Sequence, residues 1–588
     1  MKERWVVLNK KADFYGIGRR YGSDPVIARL IRNRDIIDEK EIEQYLYGGI
    51  EHLPAPQEMK DMEKAAAILI QKIHEGRRIR IISDYDVDGV VSNYILYTGL
   101  SKCGAMIDYK IPDRILDGYG INENLIQQAY DEGIDTILTC DNGIAAYQQI
   151  QYGKDLGMTI VVTDHHDVPY EEIDGVKHHI LPPADAVVNP KRPDCHYPYK
   201  TLCGAVVALK LIIYIYEQFH KPANAWHEFL EFAAIATVCD VVSLTGENRV
   251  LVKEGLKRLN RTTHTGLSAL ISATEMEEKQ ITSYHLGFVI GPCINASGRL
   301  KSAEMALSLL LCDDREQALK LALELKDLNE ERKNMTLTGL ENAIQLIETS
   351  SLKEDKILVV YLPDCHESLA GIIAGRIREK YNKPVFVLTD SEDGALKGSG
   401  RSIESYSMFE EMSRVKELMS KYGGHPMAAG LTLPKENLEL FRERLNELTS
   451  LTEADFVAKV SIDVPMPVSY ITEKLVDELK LLEPFGCANP KPLFAQKNLS
   501  VLSARVLGAR KNVLKLRLAD EQGYEIDGIY FGNIEDFHKY VSSHFPQNEV
   551  EYMYQGRKNS VTLSFTYYPD VNEFRGSRTL QIVIQNYQ

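Results

Sequence analysis

The 588-residue chain has no Cys-x-x-Cys pair among its nine cysteines, no internal repeat, no low-complexity tract and no excess of positive charge. Each absence excludes something. Cysteines scattered at 103, 140, 195, 203, 239, 293, 312, 365 and 487 argue against a disulfide scaffold and for free thiols in a reducing compartment. The opening MKERWVVLNKKADFYG lacks an apolar h-region, so no secretory signal is expected. The most membrane-like stretch, Leu202 to Tyr216, contains Lys210 and falls short of the roughly 20 residues a spanning helix needs. It reads as a buried core helix, and no membrane partner is expected. A net charge of -16 removes the broad positive field of a usual nucleic-acid binder. A polyanionic substrate would have to be drawn by bound cations or by local Arg/Lys clusters.

What is present is a globular mixture, 44% apolar and 26% charged, too long for one core and so divided into several domains. Residues 1–60 read as a polar, helical entry segment. Over 61–250, strand-like runs at Arg78–Ser83, Met106–Ile111, Thr136–Thr139, Thr159–Thr163 and His179–Val188 alternate with helical patterns at Val91–Lys102, Asn124–Glu132 and Ala145–Leu156. That alternation predicts βαβ units and a parallel sheet. Residues 251–350 read as helical, with a long connecting helix in Ala303–Ile347 interrupted near Asp313. Residues 351–455 return to a smaller α/β pattern: strand Ile357–Leu362, helix Leu369–Tyr381, strand Pro384–Thr389 and a Gly-rich stretch, Lys421–Gly430. Short alternating runs over 456–588 predict an all-β module, a five-stranded barrel.

The chemistry concentrates at predicted strand ends. Ser83-Asp84-Tyr85-Asp86-Val87-Asp88-Gly89 sets three carboxylates at alternate positions directly after an apolar strand. At the carboxyl edge of a parallel sheet they would converge where ligands bind. Crowded carboxylates repel unless a cation neutralises them, and hard ions such as Mg²⁺ and Mn²⁺ prefer carboxylate oxygen. A calcium loop would need Glu six residues after the glycine, and position 95 is Ile. A solvated turn is the alternative. Thr139-Cys140-Asp141-Asn142-Gly143 and Thr163-Asp164-His165-His166-Asp167 repeat the pattern after two further strands, and Asp240 follows the apolar run Phe232–Cys239. One histidine can ligate metal while the other faces a phosphate; taken alone, the pair reads equally as surface turn histidines. Asp164 or Asp167 can support them from behind or serve as a turn residue.

Together DYDVDG, CDNG, TDHH and Ala236-Thr237-Val238-Cys239-Asp240 resemble the DHH phosphoesterase superfamily, in its RecJ-type single-strand exonuclease branch. The likeness continues through Ile111-Pro112-Asp113-Arg114, Gly118-Tyr119-Gly120, Leu202-Cys203-Gly204-Ala205 and Asn295-Ala296-Ser297-Gly298-Arg299. It extends to Gly398-Ser399-Gly400-Arg401-Ser402, to Gly423-Gly424-His425-Pro426-Met427-Ala428-Ala429-Gly430, and to Glu483-Pro484-Phe485-Gly486 with Asn489-Pro490.

The resemblance implies an α/β protein with a parallel-sheet DHH domain, a long connecting helix, a smaller α/β DHH-associated domain and an OB-like barrel. It implies a 5′-to-3′ exonuclease that hydrolyses single-stranded DNA in repair and recombination, with two Mn²⁺ or Mg²⁺ ions. By that likeness Asp86, Asp88, Asp141, His165 and Asp240 hold the metals, with Asp84 as an additional ligand. Asp141 would bridge and His166 would face the scissile phosphate. No protein nucleophile is needed, because two metals can activate water and neutralise developing charge. Arg114, Asn295, Arg299, His366, Ser399, Arg401, Gly424 and His425 become the substrate-binding candidates. His366 could instead cap the helix that follows, Arg114 could form a surface salt bridge, and the Gly-rich motifs could be structural turns.

In the barrel, Arg505, Arg510, Lys511, Lys515 and Arg517 would track phosphates and some of thirteen aromatics over 501–588 would stack bases. Most barrel aromatics are core, and this segment has ten Lys/Arg against ten Asp/Glu, so no net field helps. Three positions depart from the family pattern: Cys293 where Arg is expected as a phosphate contact, Ser368 where glycine is common, and Val206 where glycine is common. None touches the expected metal ligands. Expected partners are single-stranded DNA, a single-strand-binding protein and a repair helicase, for a cytoplasmic monomer. The competing readings are a phosphodiesterase for short oligonucleotides, cyclic dinucleotides or pyrophosphate, and a non-catalytic single-strand scaffold, which would have broken metal motifs.

Overall fold

The computed structural model describes residues 3–114, 117–392, 394–508, 511–574 and 576–588. They form two compact units, 49–458 and 3–48 with 459–588. The chain opens with β1 (Glu3–Val7), α1 (Phe14–Tyr21), α2 (Pro25–Asn33) and α3 (Glu39–Tyr47), which belong to the second unit. A strand within the first ten residues is not what the helical reading of this segment expects. Its partner lies more than 450 positions away.

The first unit begins with α4 (Met62–His74), then β2 (Arg78–Ser83), α5 (Val87–Ser101), β3 (Met106–Lys110), α6 (Glu123–Asp131), β4 (Thr136–Cys140), α7 (Tyr147–Asp155) and β5 (Thr159–Thr163). An exposed hairpin, β6 (Tyr170–Ile173) and β7 (Val176–His179), precedes β8 (Ala186–Val188). The order β3-β2-β4-β5-β8 is parallel throughout. Ile79, Ile81 and Ile82 are all fully buried, so β2 is apolar on both faces, as a strand between two helical layers must be. Helices α4, α5 and α8 (Gly204–Gln218) cover one face, with α9 (Leu230–Cys239) packed on α5 and α8, and α6 and α7 cover the other. The continuous strand expected over His179–Val188 is instead two pieces, because Pro182 and Pro183 have no N–H to offer a ladder. Lys210, buried mid-way along α8, is matched by Glu247 at 2.5 Å and the Pro54 carbonyl at 2.7 Å. No described helix is long and apolar enough to cross a membrane.

Helices α10 (Gly246–Leu259), α11 (Thr265–Ala273) and α12 (Ser283–His285) follow. A π-helical turn, Leu286–Ile290, then leads into α13 (Gly291–Leu300). After α14 (Glu304–Leu310), α15 (Arg315–Thr349) runs for 35 residues, about 50 Å. It starts at Asp314, whose side chain accepts from the Gln317 N–H, which explains the interruption read near Asp313.

The smaller α/β part has β9 (Leu358–Tyr361), α16 (Ala370–Tyr381), β10 (Val385–Asp390), β11 (Leu396–Arg401), α17 (Met408–Ser413), β12 (Lys421–His425), β13 (Ala428–Leu433) and α18 (Leu438–Leu448). The sheet order is β12-β13-β11-β10-β9, with α15 and α16 packed on one face and α17 and α18 on the other. Both Gly-rich motifs are strands here, not loops. Gly398-Ser399-Gly400-Arg401 lies in β11, and Gly423 pairs with Gly430 across the β12–β13 hairpin.

In the second unit β1 pairs with β14 (Ala458–Ile462). Then come β15 (Val464–Pro465), α19 (Glu473–Leu479), β16 (Phe494–Leu507), β17 (Val513–Ala519), β18 (Glu525–Tyr530), α20 (Ile534–His544), α21 (Gln547–Gln555), β19 (Thr562–Phe574) and β20 (Ser577–Tyr587). The ring β16-β17-β18-β20-β19 closes through a β16–β19 pairing, giving the expected five-stranded barrel. Two helices, α20 and α21, sit between β18 and β19, where strand alternation gave no signal. Ile27, Leu30 and Ile31 of α2 share the barrel's core, and Asn489 accepts from Tyr45 Oη at 2.9 Å and Arg34 Nε at 2.8 Å. The Glu483-Pro484-Phe485-Gly486…Asn489 motif therefore fastens the N-terminal helices.

Candidate metal centre and cleft

Four chain segments bring the acidic and imidazole groups together at the carboxyl edge of the parallel sheet. Asp84 follows β2. Asp86 is the N-cap of α5, its Oδ1 accepting from the N–H groups of Asp88 at 2.9 Å and Gly89 at 3.1 Å. Helix α5 thus starts four residues before the apolar pattern suggests, and Asp88 lies in its first turn. Gly89 is required, since a Cβ there would sit 2.3 Å from the Asp84 carbonyl oxygen. Asp88 is fixed by a second helix N-terminus, accepting from the Gly204 N–H at 2.6 Å and the Ala205 N–H at 2.8 Å at the start of α8. Asp141 follows β4 with φ of 59°, a left-handed conformation that aims its carboxylate into the pocket. Asp240 caps the C-terminus of α9.

Asp84, Asp86 and Asp141 form one group whose ligand atoms lie within 4.8 Å of one another, Asp88, His165 and Asp240 form a second, and Asp141, His165 and His166 a third. The first two meet where His165 Nε2 stands 3.0 Å from Asp141 Oδ1. His165 Nε2 is also 3.6 Å from Asp88 Oδ2 and 3.7 Å from Asp240 Oδ2. Asp84 Oδ1, Asp141 Oδ1, Asp240 Oδ2 and both His165 ring nitrogens are buried without a hydrogen-bond partner. Unpartnered buried acceptors are costly, so the donor set fits divalent cations. Burial raises the Asp84, Asp86 and Asp141 carboxyls above their usual range, and neighbouring carboxylates add to it. Asp240 is pushed up to about 9 by burial and by Asp88 and Asp86. Burial also depresses His165, favouring the neutral imidazole that ligates.

His166 differs from its neighbour. Its Nδ1 lies 2.8 Å from Asp164 Oδ1, a buried carboxylate that also accepts from the Ile144, His165 and His166 N–H groups. Burial opposes charge on both, yet the pair lowers Asp164 to about 2 and raises His166 to about 9. Of the two support candidates, Asp164 takes this role; Asp167 pairs with Lys191 at 2.9 Å. Tyr119 lies in a motif to which the sequence assigns no task. Its hydroxyl donates to the Asp141 carbonyl at 3.1 Å and lies 3.3 Å from the His166 ring.

The substrate candidates divide. Tyr85, Arg114, Glu367, Ser368, Lys397, Ser399 and Lys421 line a cleft of about 510 Å³ together with the paired Gly423 and Gly430. Arg114 lies over the Tyr85 ring at 4.8 Å. Arg299 donates to the Ser368 carbonyl at 2.7 Å, and Asn295 holds the Val87 N–H at 3.2 Å, so it braces the acidic loop. His366 caps the turn before α16, its Nδ1 accepting from the Ser368 N–H at 3.3 Å. Arg401 donates to the Gly400 carbonyl at 2.8 Å. His425 is exposed and contributes to the lowered Asp167, after Lys191. Gly424 has φ of 148°, with no room for a Cβ beside the Ala428 carbonyl at 2.4 Å. Gly423, Gly424 and Gly430 lie in the β12–β13 hairpin rather than in a loop, and β12 is the edge strand of the sheet.

In the barrel, Lys515 pairs with Asp527 at 2.8 Å and Arg517 with Glu525 and Asp527, both at 2.9 Å. These two are balanced within the module. Arg505 is exposed, and Arg510 lies outside the described residues. Of the aromatics, Phe537, Phe565, Tyr567 and Tyr568 are buried in the core; Tyr524 and Phe531, flanking β18, are exposed.

Residues 78–237 match the DHH family N-terminal domain, 354–451 the DHHA1 domain and 462–586 the RecJ OB domain. The chain is 33% identical to the single-stranded-DNA-specific exonuclease RecJ of Escherichia coli (strain K12), over 96% of this chain and 95% of that protein. It is 34% identical to the Bacillus subtilis (strain 168) protein of the same name, over 91% of this chain and 66% of that one. The crystal structure of RecJ with Mn²⁺ from Thermus thermophilus superposes with a TM-score of 0.80 at 28% identity, covering 100% of this chain and 80% of that one.

Proposed function

The chain belongs to the RecJ family of DHH phosphoesterases, and from that premise we propose that it is a metal-dependent 5′-to-3′ exonuclease that hydrolyses single-stranded DNA to mononucleotides in repair and recombination. The observation that carries this reading is the pair of acidic triads meeting at Asp141 and His165, with buried acceptors left unsatisfied. Asp84, Asp86, Asp88, Asp141, His165 and Asp240 would hold two Mn²⁺ or Mg²⁺ ions, with Asp141 between them. When bound, such ions activate water and offset charge developing on a phosphodiester.

The chain's own residues do the rest. Asp164 keeps His166 oriented and favours its cationic form, suited to a phosphate oxygen. The cleft beside Arg114, Ser399, Lys397 and Lys421 has a floor without Cβ atoms at Gly423 and Gly430, where a backbone can lie close. Lys397 is paired with Glu367 at 2.9 Å in the same cleft, so Arg114 and Lys421 are the local cations that answer the problem set by the acidic chain. The barrel supports a longer strand over a cyclic dinucleotide. A cytoplasmic monomer working with a single-strand-binding protein and a helicase completes the reading.

The test is Mn²⁺-dependent release of mononucleotides from 5′-labelled single-stranded DNA, compared with duplex, RNA and cyclic dinucleotides. Asp141→Ala is expected to abolish release while the protein stays folded. Full activity in that variant would refute the two-metal assignment, and preference for a cyclic dinucleotide would replace the substrate.

A further inference from the structure

Helix α15 carries a guanidinium that the sequence motifs do not include. Arg332 donates from Nε and Nη2 to Asn329 Oδ1 at 3.1 and 3.0 Å. Asn329 is 2% exposed and directs its Nδ2 to Cys293 Sγ at 3.5 Å. Cys293 belongs to α13, and further along that helix Arg299 reaches the Ser368 carbonyl at the cleft wall. Among the described residues, Arg114 lies over an aromatic face, Arg299 donates to a backbone carbonyl and Arg332 to an amide oxygen. Burial, then the fields of Arg114 and Arg332, bring Arg299 down to about 10. Burial and Arg376 also contribute to lowering Arg332.

Asp86 acts on Arg299, Arg114 on Asp84 and Glu330 on Arg332, so part of this charge is offset, but among the described residues none of the three guanidiniums makes an ion pair. A phosphate oxygen is the ligand chemistry that would complete such a pairing. The grip of Asn329 engages Nε and Nη2 and leaves Nη1 for a ligand, while fixing the side chain at low entropic cost. Position 293 would carry the cation by resemblance. Here it carries a buried thiol that buttresses Asn329.

We propose that Arg332, held by Asn329 and Cys293, is a further phosphate-binding residue on the helix that packs against α13, supplying from α15 the positive charge that position 293 lacks. This rests on the single-strand reading above but not on hydrolysis. The test is fluorescence anisotropy of the whole chain with a labelled, 5′-phosphorylated strand of about 15 nucleotides in EDTA, across a salt series. Arg332→Ala is expected to weaken binding about tenfold at low salt. It should also flatten the slope of log affinity against log salt by about 0.7, the value of one single-strand phosphate contact. Arg332→Lys should retain the slope, because a lysine still neutralises a phosphate. An Arg332→Ala slope equal to the parent's overturns the proposal, whatever happens to activity, since a merely structural residue would not move counterion release. A parent protein that binds the strand but releases no nucleotide with Mn²⁺ overturns the exonuclease reading and leaves this one standing. A parent that binds no strand overturns both.

Discussion

Asp164 and His166 show how one carboxylate can be spent on orientation. Asp164 is fully enclosed and accepts three backbone N–H groups as well as the imidazole, so its negative charge is stabilised without a metal. Asp84, Asp141 and Asp240 are raised instead, by burial and then by the charge of neighbouring carboxylates. Replacing Asp164 by Asn keeps the shape and removes the charge that holds His166 as a cation. Asp164→Asn is therefore expected to lower kcat by about 10- to 100-fold, with Mn²⁺ affinity changed less. Steady-state kinetics with a parallel Mn²⁺ titration checks this. A loss of metal affinity as large as the loss of kcat would place Asp164 in the ligand set.

At the scale of elements, helix N-termini do much of the positioning. The first turn of α5 carries Asp86 and Asp88, and the first turn of α8 supplies the two amides that receive Asp88. The two helices pack side by side over one face of the sheet, and Gly204 lets α8 approach β4's end. A Cβ at 204 would lie 2.8 Å from Asp141 Cβ and 3.0 Å from its Oδ1. Gly204→Ala is expected to destabilise the protein by about 1–3 kcal/mol through overpacking. It should weaken Mn²⁺ binding more than a comparable substitution on a remote face. Calorimetric Mn²⁺ titration and thermal melts separate the two effects; unchanged metal affinity would show that Asp141 is not held by this contact.

The whole molecule stores repulsion in the metal centre. In the metal-free protein Asp240 is raised to about 9 from a usual value near 3.8, and Asp84, Asp86 and Asp141 are raised as well. A carboxyl whose folded pKa is raised binds more protons folded than unfolded between those two values. Stability then falls as pH rises from about 4 towards 9. His166, raised to about 9, acts in the same direction, while the depressed His165 opposes it below its ordinary pKa. In EDTA the melting temperature is therefore expected to drop by about 5 °C or more between pH 6 and pH 9, and Mn²⁺ is expected to restore it. A metal-free melting temperature that is flat or rising over that range would contradict the crowded-carboxylate account.

The sequence by itself determined the βαβ succession, the long helix, the barrel's strands and the order of the acidic and imidazole groups. These are encoded locally, in apolar periodicity and in residue types that suit strand ends. It did not determine that β1 pairs with a strand over 450 residues on, or that α2 shares the barrel's core with residues beyond 459. It also left Asp88's dependence on α8, Tyr119's place beside His166 and the Asn329 grip on Arg332 unmarked. Those depend on which surfaces meet once the chain closes on itself. The same applies to the glycines at 423 and 430: their composition suggests a loop, but pairing across a hairpin makes them the floor of a cleft. Tertiary structure alone decided such contacts, because a hydrogen bond or a close approach between distant segments has no period along the chain.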